Sequence, residues 1–318
     1  MSEHLFIGID GGATHCQARI RDMDGNLLGE GDGGPANIHS DLPLAKESIR
    51  TATKSALAAA GLDEPSLKRA HVGLGLAGAS LKTTSDRLLS ELTSFASIEM
   101  ETDAYVAWLG AHQGGDGGIA VLGTGSCGLA IVNGRRIAVA GWGPEVSDEA
   151  GGQRMGREAL RRTLWAYDGR AEKSGLTAAI LTRFNSDPTQ IVSFAASASS
   201  ADYARFAPLI FKYAAAEDPL ALTLVSEAAQ AAVSIIETLR AAGAPTVSLI
   251  GGLAEPLFSW LPPPLCGFIT PPQSDPADGA ILMARRAFFK LDYQRPGITS
   301  AGRQTQARPL ASVRRSAA

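Results

Sequence analysis

Two turns of small residues, one in each half of the chain, constrain the fold more than any other sequence feature. The first turn, GGAT, follows an apolar segment at residues 5–10 and leads into another at 15–21. The second turn, GTGS, also lies between two apolar segments, within residues 119–141. An Asn-Gly hairpin and a further apolar segment follow in the same run. Each run predicts three antiparallel strands, and the third strand of the first run is expected at 26–30. The repeated order indicates a duplicated architecture.

The other predicted elements alternate between helix and strand in the first half, while the second half is richer in helix. In the first half we predict helices at 42–60, 83–95 and 103–112 and strands at 70–76 and 97–101. In the second half we predict helices at 151–166, 175–184, 201–215, 219–242 and 277–289 and a strand at 246–252. Helix 219–242 has the clearest end signals, with Pro219 in its first turn and Gly243 after its end.

The bulk composition excludes several classes of protein. The 318 residues suggest two domains, and the net charge of −3 gives no reason to expect nucleic acid as a partner. No stretch approaches about 18 uninterrupted apolar residues, and the N-terminus lacks the pattern of a signal peptide. Cys16, Cys127 and Cys266 are too widely spaced for a metal motif or a disulfide framework. We therefore expect a cytoplasmic protein that binds neither nucleic acid nor membranes.

The C-terminal segment, 290–318, differs from the rest of the chain. It contains five arginines and one acidic residue after position 290 and shows no apolar periodicity. This composition predicts a disordered tail, and an arm that binds phosphate or a partner is the alternative.

The small residues of the two turns suit phosphate binding. A dinucleotide-binding glycine loop opens a helix at once, but GTGSCG opens a hairpin, and GLGLAG at 73–78 is separated from the helix that follows it. Amides of a glycine turn can form an anion cradle without a helix dipole. Two such turns that face each other would hold the phosphates of a nucleotide, and Asp10 at a strand end could hold Mg²⁺. An ordinary hairpin is the alternative for either turn alone.

The paired glycines in SLIGG end a strand, where an adenine ring could lie on bare backbone; a simple strand-to-helix turn is the alternative. The predicted ATP-binding residues therefore lie in three glycine-containing turns. They are Gly11, Gly12, Thr14, Gly123, Thr124, Gly125, Gly251 and Gly252.

A carboxylate at a strand–helix junction is the candidate general base. Asp103 follows a predicted strand and opens a predicted helix. A carboxylate there can accept the proton of a sugar hydroxyl as that hydroxyl attacks the γ-phosphoryl group of ATP. An N-cap that satisfies the first amides of the helix is the alternative.

The candidate substrate residues lie in polar loops that follow predicted strands. Asp148 can accept hydrogen bonds from sugar hydroxyls, Trp142 can pack on an apolar ring face, and the amide of Asn37 can both donate and accept. We assign six residues to the substrate site, namely Asn37, Asp103, Ser126, Gly141, Trp142 and Asp148.

Over about residues 4–289 the chain resembles the actin and sugar-kinase ATPase superfamily, specifically the BadF/BadG-type ATPases that include N-acetylglucosamine kinases and bacterial glucosamine kinases. GIDGGATHCQARIRD resembles the first phosphate motif of that family, GTGSCG its second and LIGGLA its adenosine motif. GWG…SDEAGG…MG is similar to the amino-sugar kinase signature and is the most specific of these motifs. One departure is Ala13, which stands where the family usually has a third glycine.

The resemblance implies an α/β fold of two ribonuclease-H-like domains around a cleft for ATP and Mg²⁺. The expected domains are 1–113 and 114–276, with the helix at 277–289 packed back on the first. The resemblance also implies that Asp103 is the base and that Asn37 and Asp148 contact the sugar. A homodimer is expected, since members of the family are often dimers.

The expected reaction is ATP-dependent phosphorylation of the 6-hydroxyl of glucosamine, with N-acetylglucosamine as the alternative substrate. The sequence does not show which of the two sugars is bound. An ATPase that activates a radical dehydratase shares the fold but needs a converging pair of cysteines, and Cys127 has no evident partner nearby. A non-catalytic sugar sensor is a further alternative, although no helix-turn-helix segment is visible.

Overall fold

The computed structural model describes residues 4–290 and 298–300. The first of its two sheets has five strands and is formed by residues 5–101. The order of its strands is β3-β2-β1-β4-β5. Strands β1, β2 and β3 are antiparallel, while β4 and β5 continue in parallel to β1. The strand bounds are Leu5–Gly11, Cys16–Asp22, Leu27–Gly33, Ala70–Leu76 and Ser97–Glu101 for β1 to β5.

Three α-helices connect these strands or follow them. They are α1 at Leu42–Ala59, α2 at Lys82–Glu91 and α3 at Asp103–His112, and a 3₁₀ helix at Glu64–Arg69 precedes β4. The Asp41 carboxylate caps α1 by accepting from the Leu44 amide at 2.9 Å, which satisfies one of the free amides of the first turn. Helix α1 packs against β2 and β3.

The second sheet repeats the arrangement of the first. Strands β6 at Gly117–Leu122, β7 at Ser126–Val132 and β8 at Arg135–Ala140 are antiparallel, and β9 at Val247–Ile250 lies parallel to β6. The fold class predicted from the sequence, α/β with two ribonuclease-H-like units, is therefore confirmed.

Between β8 and residue 276 the structure describes eight helices. They are α4 Gly152–Tyr167, α5 Gly175–Arg183, α6 Pro188–Ala195, α7 Ser200–Ala204, α8 Ala207–Ala215, α9 Pro219–Ala241, α10 Ala254–Phe258 and α11 Pro263–Cys266. Of these, α9 and α10 make the main contacts with this sheet. The single helix predicted at 201–215 is wrong, because Pro208 has no amide hydrogen to continue a helix from α7 and instead lies in the first turn of α8.

Helix α9 is the one helix in the described residues that is long and apolar enough to cross a membrane. In this fold it packs against α8, α4 and the second sheet. Val225, Ala232 and Leu239 on its inner face are fully buried in the core of the second half. Its apolar character is thus used in the core.

The last described helix, α12 at Pro276–Phe288, returns to the first sheet and packs on β1, β4 and α3. We call β1–β5, α1–α3 and α12 the first lobe, and β6–β9 with α4–α11 the second lobe. A short strand, β10 at Ile298–Ser300, pairs in parallel with β8. It lies within the segment 290–318 for which disorder is predicted, and the other residues of that segment after Lys290 lie outside the described residues.

Candidate active site

The glycines of the first sheet determine where Asp10 points. A Cβ on Gly8 would overlap the Ala277 carbonyl oxygen of α12, and one on Gly75 would overlap the Val106 side chain of α3. These two helices can therefore lie directly on this face of the sheet. Side chains alternate along a strand, so Asp10 points to the same face as Gly8, toward the N-terminal ends of α3 and α12.

Asp103 is the first residue of α3 and follows β5, so it lies at the same edge of the sheet as Asp10. Its carboxylate accepts from the Ala104 amide at 2.9 Å. Burial raises the pKa of Asp103, and this hydrogen bond offsets part of the increase. The cap of α3 is the neighbouring Thr102, whose hydroxyl accepts from the Tyr105 amide at 3.2 Å, so Asp103 does not act as the N-cap.

The two carboxylates affect each other. Burial, followed by the negative charges of Asp103 and Asp275, raises the pKa of Asp10 to about 7. Asp275 caps α12, and sequence reasoning did not assign it to the site. Its local signal, an aspartate before a proline, is the signal of an ordinary helix cap.

The Asp10 carboxylate is suited to a divalent cation. A bound Mg²⁺ would offset both the burial and the repulsion from Asp103 and Asp275 that raise the pKa of Asp10. Within residues 4–290, no three His, Cys, Asp or Glu side chains form a complete metal cage. Magnesium needs none, since it is held by one or two carboxylates together with substrate phosphates and water.

The first glycine turn, Gly11 to His15, is a tight hairpin between β1 and β2. The Gly12 amide donates to the His15 carbonyl at 2.9 Å, and the Gly11 carbonyl accepts from Ala77 at 2.8 Å. Thr14 is exposed at the tip. Ala13 is not among the residues with positive φ, so the departure from three glycines causes no backbone strain.

The second glycine turn is tied to the start of α4. The carbonyls of Gly123 and Thr124 accept from the Gly152 and Gln153 amides at 2.8 and 2.9 Å. The first amides of α4 are therefore bonded to this turn and are not directed at a ligand. The Gly123 amide donates to the Gly125 carbonyl at 2.9 Å, which keeps the turn tight.

The glycines that follow β9 lie beside this second turn. Gly251 has φ of 101°, and a Cβ there would lie 2.5 Å from the Leu122 carbonyl oxygen. The same carbonyl accepts from the Leu253 amide at 2.9 Å. Gly251 and Gly252 are exposed, and the structure therefore brings the predicted adenosine and phosphate segments of the second lobe together.

Asp148 is held against the second turn in a strained backbone conformation. Its φ is 65°, which is uncommon outside glycine, and its side chain is buried. Burial raises the pKa of Asp148, and a hydrogen bond from the Ser126 amide partly offsets this. The Ser126 hydroxyl accepts from the Ala150 amide at 3.1 Å, so Ser126 organises the loop that carries Asp148.

Cys127 lies where the two lobes meet. Sequence reasoning considered this residue only because it has no second cysteine nearby. Burial and the negative charges of Asp103 and then Asp148 raise the pKa of its thiol. The thiol thus lies near a carboxylate from each lobe. This convergence depends on how the lobes pack, and the sequence carries no local signal for it.

Asn37 and Trp142 lie on opposite lobes. The Asn37 side-chain oxygen accepts from the His39 and Ser40 amides at 3.0 and 3.2 Å, which leaves its NH₂ group as the donor for a ligand. Trp142 is 73% exposed between Gly141 and Gly143, both of which have positive φ. A Cβ on Gly141 would lie 2.6 Å from that of Cys127, so this loop crosses the site at Cys127.

Comparison with known proteins agrees with this geometry. Residues 7–284 match the model of the BadF/BadG/BcrA/BcrD ATPase family. A glucosamine kinase from Vibrio cholerae is 38% identical over 288 residues, which cover 91% of this chain and 98% of the relative. An N-acetyl-D-glucosamine kinase from Dictyostelium discoideum is 28% identical over 261 residues, covering 75% of this chain and 80% of the relative.

A solved structure of high similarity is that of a proposed N-acetylglucosamine kinase from Chromobacterium violaceum. The two structures superpose with a TM-score of 0.84 at 34% sequence identity. The match covers 89% of this chain and 100% of the Chromobacterium chain. A glucokinase from Streptomyces griseus has a TM-score of 0.53 at 17% identity, which shows a shared fold alone.

Proposed function

Because the chain belongs to the BadF/BadG/BcrA/BcrD ATPase family, we propose that it is an ATP-dependent kinase of glucosamine. The observation that carries the proposal is the convergence of Asp10 and Asp103 at one sheet edge, across from Cys127 and Asp148 of the second lobe. The 38% identity to a glucosamine kinase over most of both chains supports this sugar.

The phosphate end of the site would be formed by both glycine turns. We assign Gly11, Gly12 and Thr14 of the first lobe and Gly123, Thr124 and Gly125 of the second to the phosphates of ATP, and Gly251 and Gly252 to its adenosine. Asp10 would hold Mg²⁺, which supplies positive charge to the phosphates when bound. The position of Gly251 beside Leu122 supports an adenosine site that continues into the second turn.

Asp103 would act as the general base. Its carboxylate accepts the proton of the sugar 6-hydroxyl while the oxygen bonds to the γ-phosphorus and the bond to the bridging oxygen of ADP breaks. Burial supports this role, because a carboxylate with a raised pKa is a stronger base than an exposed one.

The sugar would be held between the lobes. Asn37 donates from its amide, Asp148 accepts from hydroxyls, and Ser126 and Gly141 shape the loops around them. Trp142 would pack on an apolar ring face, since it is exposed on a loop that crosses Cys127. N-acetylglucosamine is the second candidate, supported by the similarity to the Dictyostelium kinase.

Three further properties belong to this proposal. We place the reaction in the cytoplasm, in keeping with the free thiols of Cys16, Cys127 and Cys266. We divide the chain into domains 1–113 and 114–276, with α12 packed on the first, and we expect a homodimer. Light scattering on the purified chain tests the last point.

A sugar panel with ATP and Mg²⁺ tests the function. We expect ADP release with glucosamine to exceed that with N-acetylglucosamine, glucose or mannose, and phosphorus NMR to identify a 6-phosphate. If N-acetylglucosamine is turned over better than glucosamine, it becomes the preferred substrate.

Asp103→Asn should lower kcat by roughly 10²-fold or more while sugar binding measured by calorimetry persists. Asp86→Asn, on an exposed ion pair with Lys82, is the matched control. A near-normal rate for Asp103→Asn would refute the assignment of Asp103 as the general base.

A further inference from the structure

A buried arginine of the second lobe reaches across to the strand end that precedes the candidate base. Arg136 lies on β8, and its side chain is 8% exposed. Its guanidinium donates to Glu101 Oε2 at 3.0 Å and to Thr102 Oγ1 at 2.9 Å. It also lies over the Tyr105 ring, 5.0 Å from the centroid. One side chain thus contacts the end of β5, the cap of α3 and the first turn of α3.

The contact with Thr102 matters because this hydroxyl sets the start of α3. Thr102 Oγ1 accepts from the Tyr105 amide at 3.2 Å and from Arg136 at 2.9 Å. Asp103 is the next residue, and its carboxylate is bonded to the adjacent Ala104 amide. The direction of the Asp103 carboxylate therefore follows the first turn of α3, which Thr102 fixes.

Arg136 also has a defined relation to the second glycine turn. Strand β8 pairs with β7, with Arg136 opposite Ile131 and Ala140 opposite Cys127. Strand β7 begins at Ser126, directly after that turn. The guanidinium consequently links the lobe that carries the base to the strand pair that carries the phosphate-binding turn.

We propose that Arg136 is a positioning residue for Asp103 and that it holds the base in register with the phosphates through the Thr102 hydroxyl. This inference rests on the proposed kinase function. The rate of group transfer is sensitive to small displacements of a base, whereas the binding of ATP and sugar depends on many other contacts. Loss of the arginine should therefore reduce kcat and leave both KM values nearly unchanged.

The test compares Arg136→Met and Thr102→Val with the wild type. We expect each to lower kcat by roughly tenfold to a hundredfold, with KM for ATP and glucosamine within about twofold. Arg136→Lys should recover part of the rate, because an ammonium can keep the Glu101 ion pair but has no planar fork to reach Thr102 as well. Arg162→Met is the matched control, since that arginine pairs with Glu158 on α4 and Glu227 on α9, two helices that carry no residue assigned to the site. Binding stoichiometry measured by calorimetry corrects every rate for the folded fraction.

A second arm separates positioning from a purely structural role. In an Asp103→Asn background there is no base to position, so adding Arg136→Met should lower the residual rate less than twofold. An equal loss in both backgrounds would overturn the inference, as would wild-type kcat in Arg136→Met. If the wild-type protein phosphorylates no amino sugar, the proposed function itself fails, and this outcome differs from both of the others.

Discussion

At the scale of single residues, Gly125 shows how closely the second turn is fitted to Asp148. A Cβ at this position would lie 2.6 Å from Asp148 Oδ2 and 3.0 Å from its Cγ. The Asp148 side chain has little freedom to move, because it is buried and accepts from the Ser126 amide. A side chain at this position of the turn would therefore have to displace Asp148.

The first prediction concerns Gly125→Ala. The methyl group should displace the Asp148 carboxylate, so we expect KM for glucosamine to rise by about tenfold or more. Because a buried side chain must shift, we also expect the free energy of unfolding to fall by about 1–3 kcal/mol. Steady-state kinetics at saturating ATP measures the effect. Gly267→Ala is the control, because a Cβ there meets nothing within 4 Å. An unchanged KM in Gly125→Ala would contradict the assignment of Asp148 to the sugar.

At the scale of elements, a charge network joins β2 to α12. The Arg19 side chain is only 11% exposed and contacts Glu30 at 2.6 Å, Asp275 at 2.6 Å and Asp278 at 2.9 Å. Arg21 contacts Asp278 at 2.7 Å. Because Asp275 lies near Asp10, this network holds the start of α12 beside the candidate metal carboxylate.

The second prediction is that Arg19→Met destabilises the fold. Removing the arginine leaves Glu30 and Asp275 without their partner, while Asp278 keeps Arg21. Because the Glu30 and Asp275 side chains are partly exposed, at 41% and 42%, we expect a cost of about 1–3 kcal/mol. Urea unfolding should show this loss. Arg50→Met removes an exposed pair with Glu47 and should leave the free energy of unfolding nearly unchanged. Equal effects from the two variants would show that the Arg19 network does not hold α12 in place.

The elements themselves were largely predictable, because their signals are local. Both strand–turn–strand runs carry glycine turns and hairpin dipeptides, and α9 has a capping Asp218 followed by a proline. Helix α6 was missed although Asp187 and Pro188 give it the same kind of start, since its eight residues are too few for a clear period. The division of 201–215 into α7 and α8 could have been predicted from Pro208, but the apolar pattern of the segment favoured one continuous helix.

The candidate site could be proposed from the sequence only where its residues belong to a turn or a strand end. Asp10 and Asp103 were identified because each ends a strand or begins a helix. Asp275, Cys127 and Arg136 were not, since their positions near these carboxylates result from packing between segments far apart in the chain. No local pattern distinguishes such residues from ordinary caps and strand positions.

At the scale of the whole molecule, the buried carboxylates of the candidate site destabilise the fold when they are charged. Burial raises the pKa values of Asp10, Asp103 and Asp148, so folding favours their protonated forms. Between the unfolded pKa of 3.8 and the folded pKa of about 7, folded Asp10 binds more protons than unfolded Asp10. Stability from this group is therefore highest at low pH and is lost as the pH rises through that window.

The third prediction follows for Asp10→Asn without Mg²⁺. The amide removes the buried charge, so we expect the variant to be more stable than the wild type at pH 8, by at most about 4 kcal/mol. When Mg²⁺ and ATP are added, the variant should be inactive. Asp218→Asn should have the opposite sign. Burial alone would raise the pKa of Asp218, but the Leu176 and Ala221 amides, which donate at 2.9 and 3.0 Å, lower it, so its charge stabilises the fold at neutral pH. Urea unfolding between pH 5 and 8 measures both variants. If Asp10→Asn were less stable than the wild type at pH 8, Asp10 would be a structural carboxylate and not one held ready for a cation.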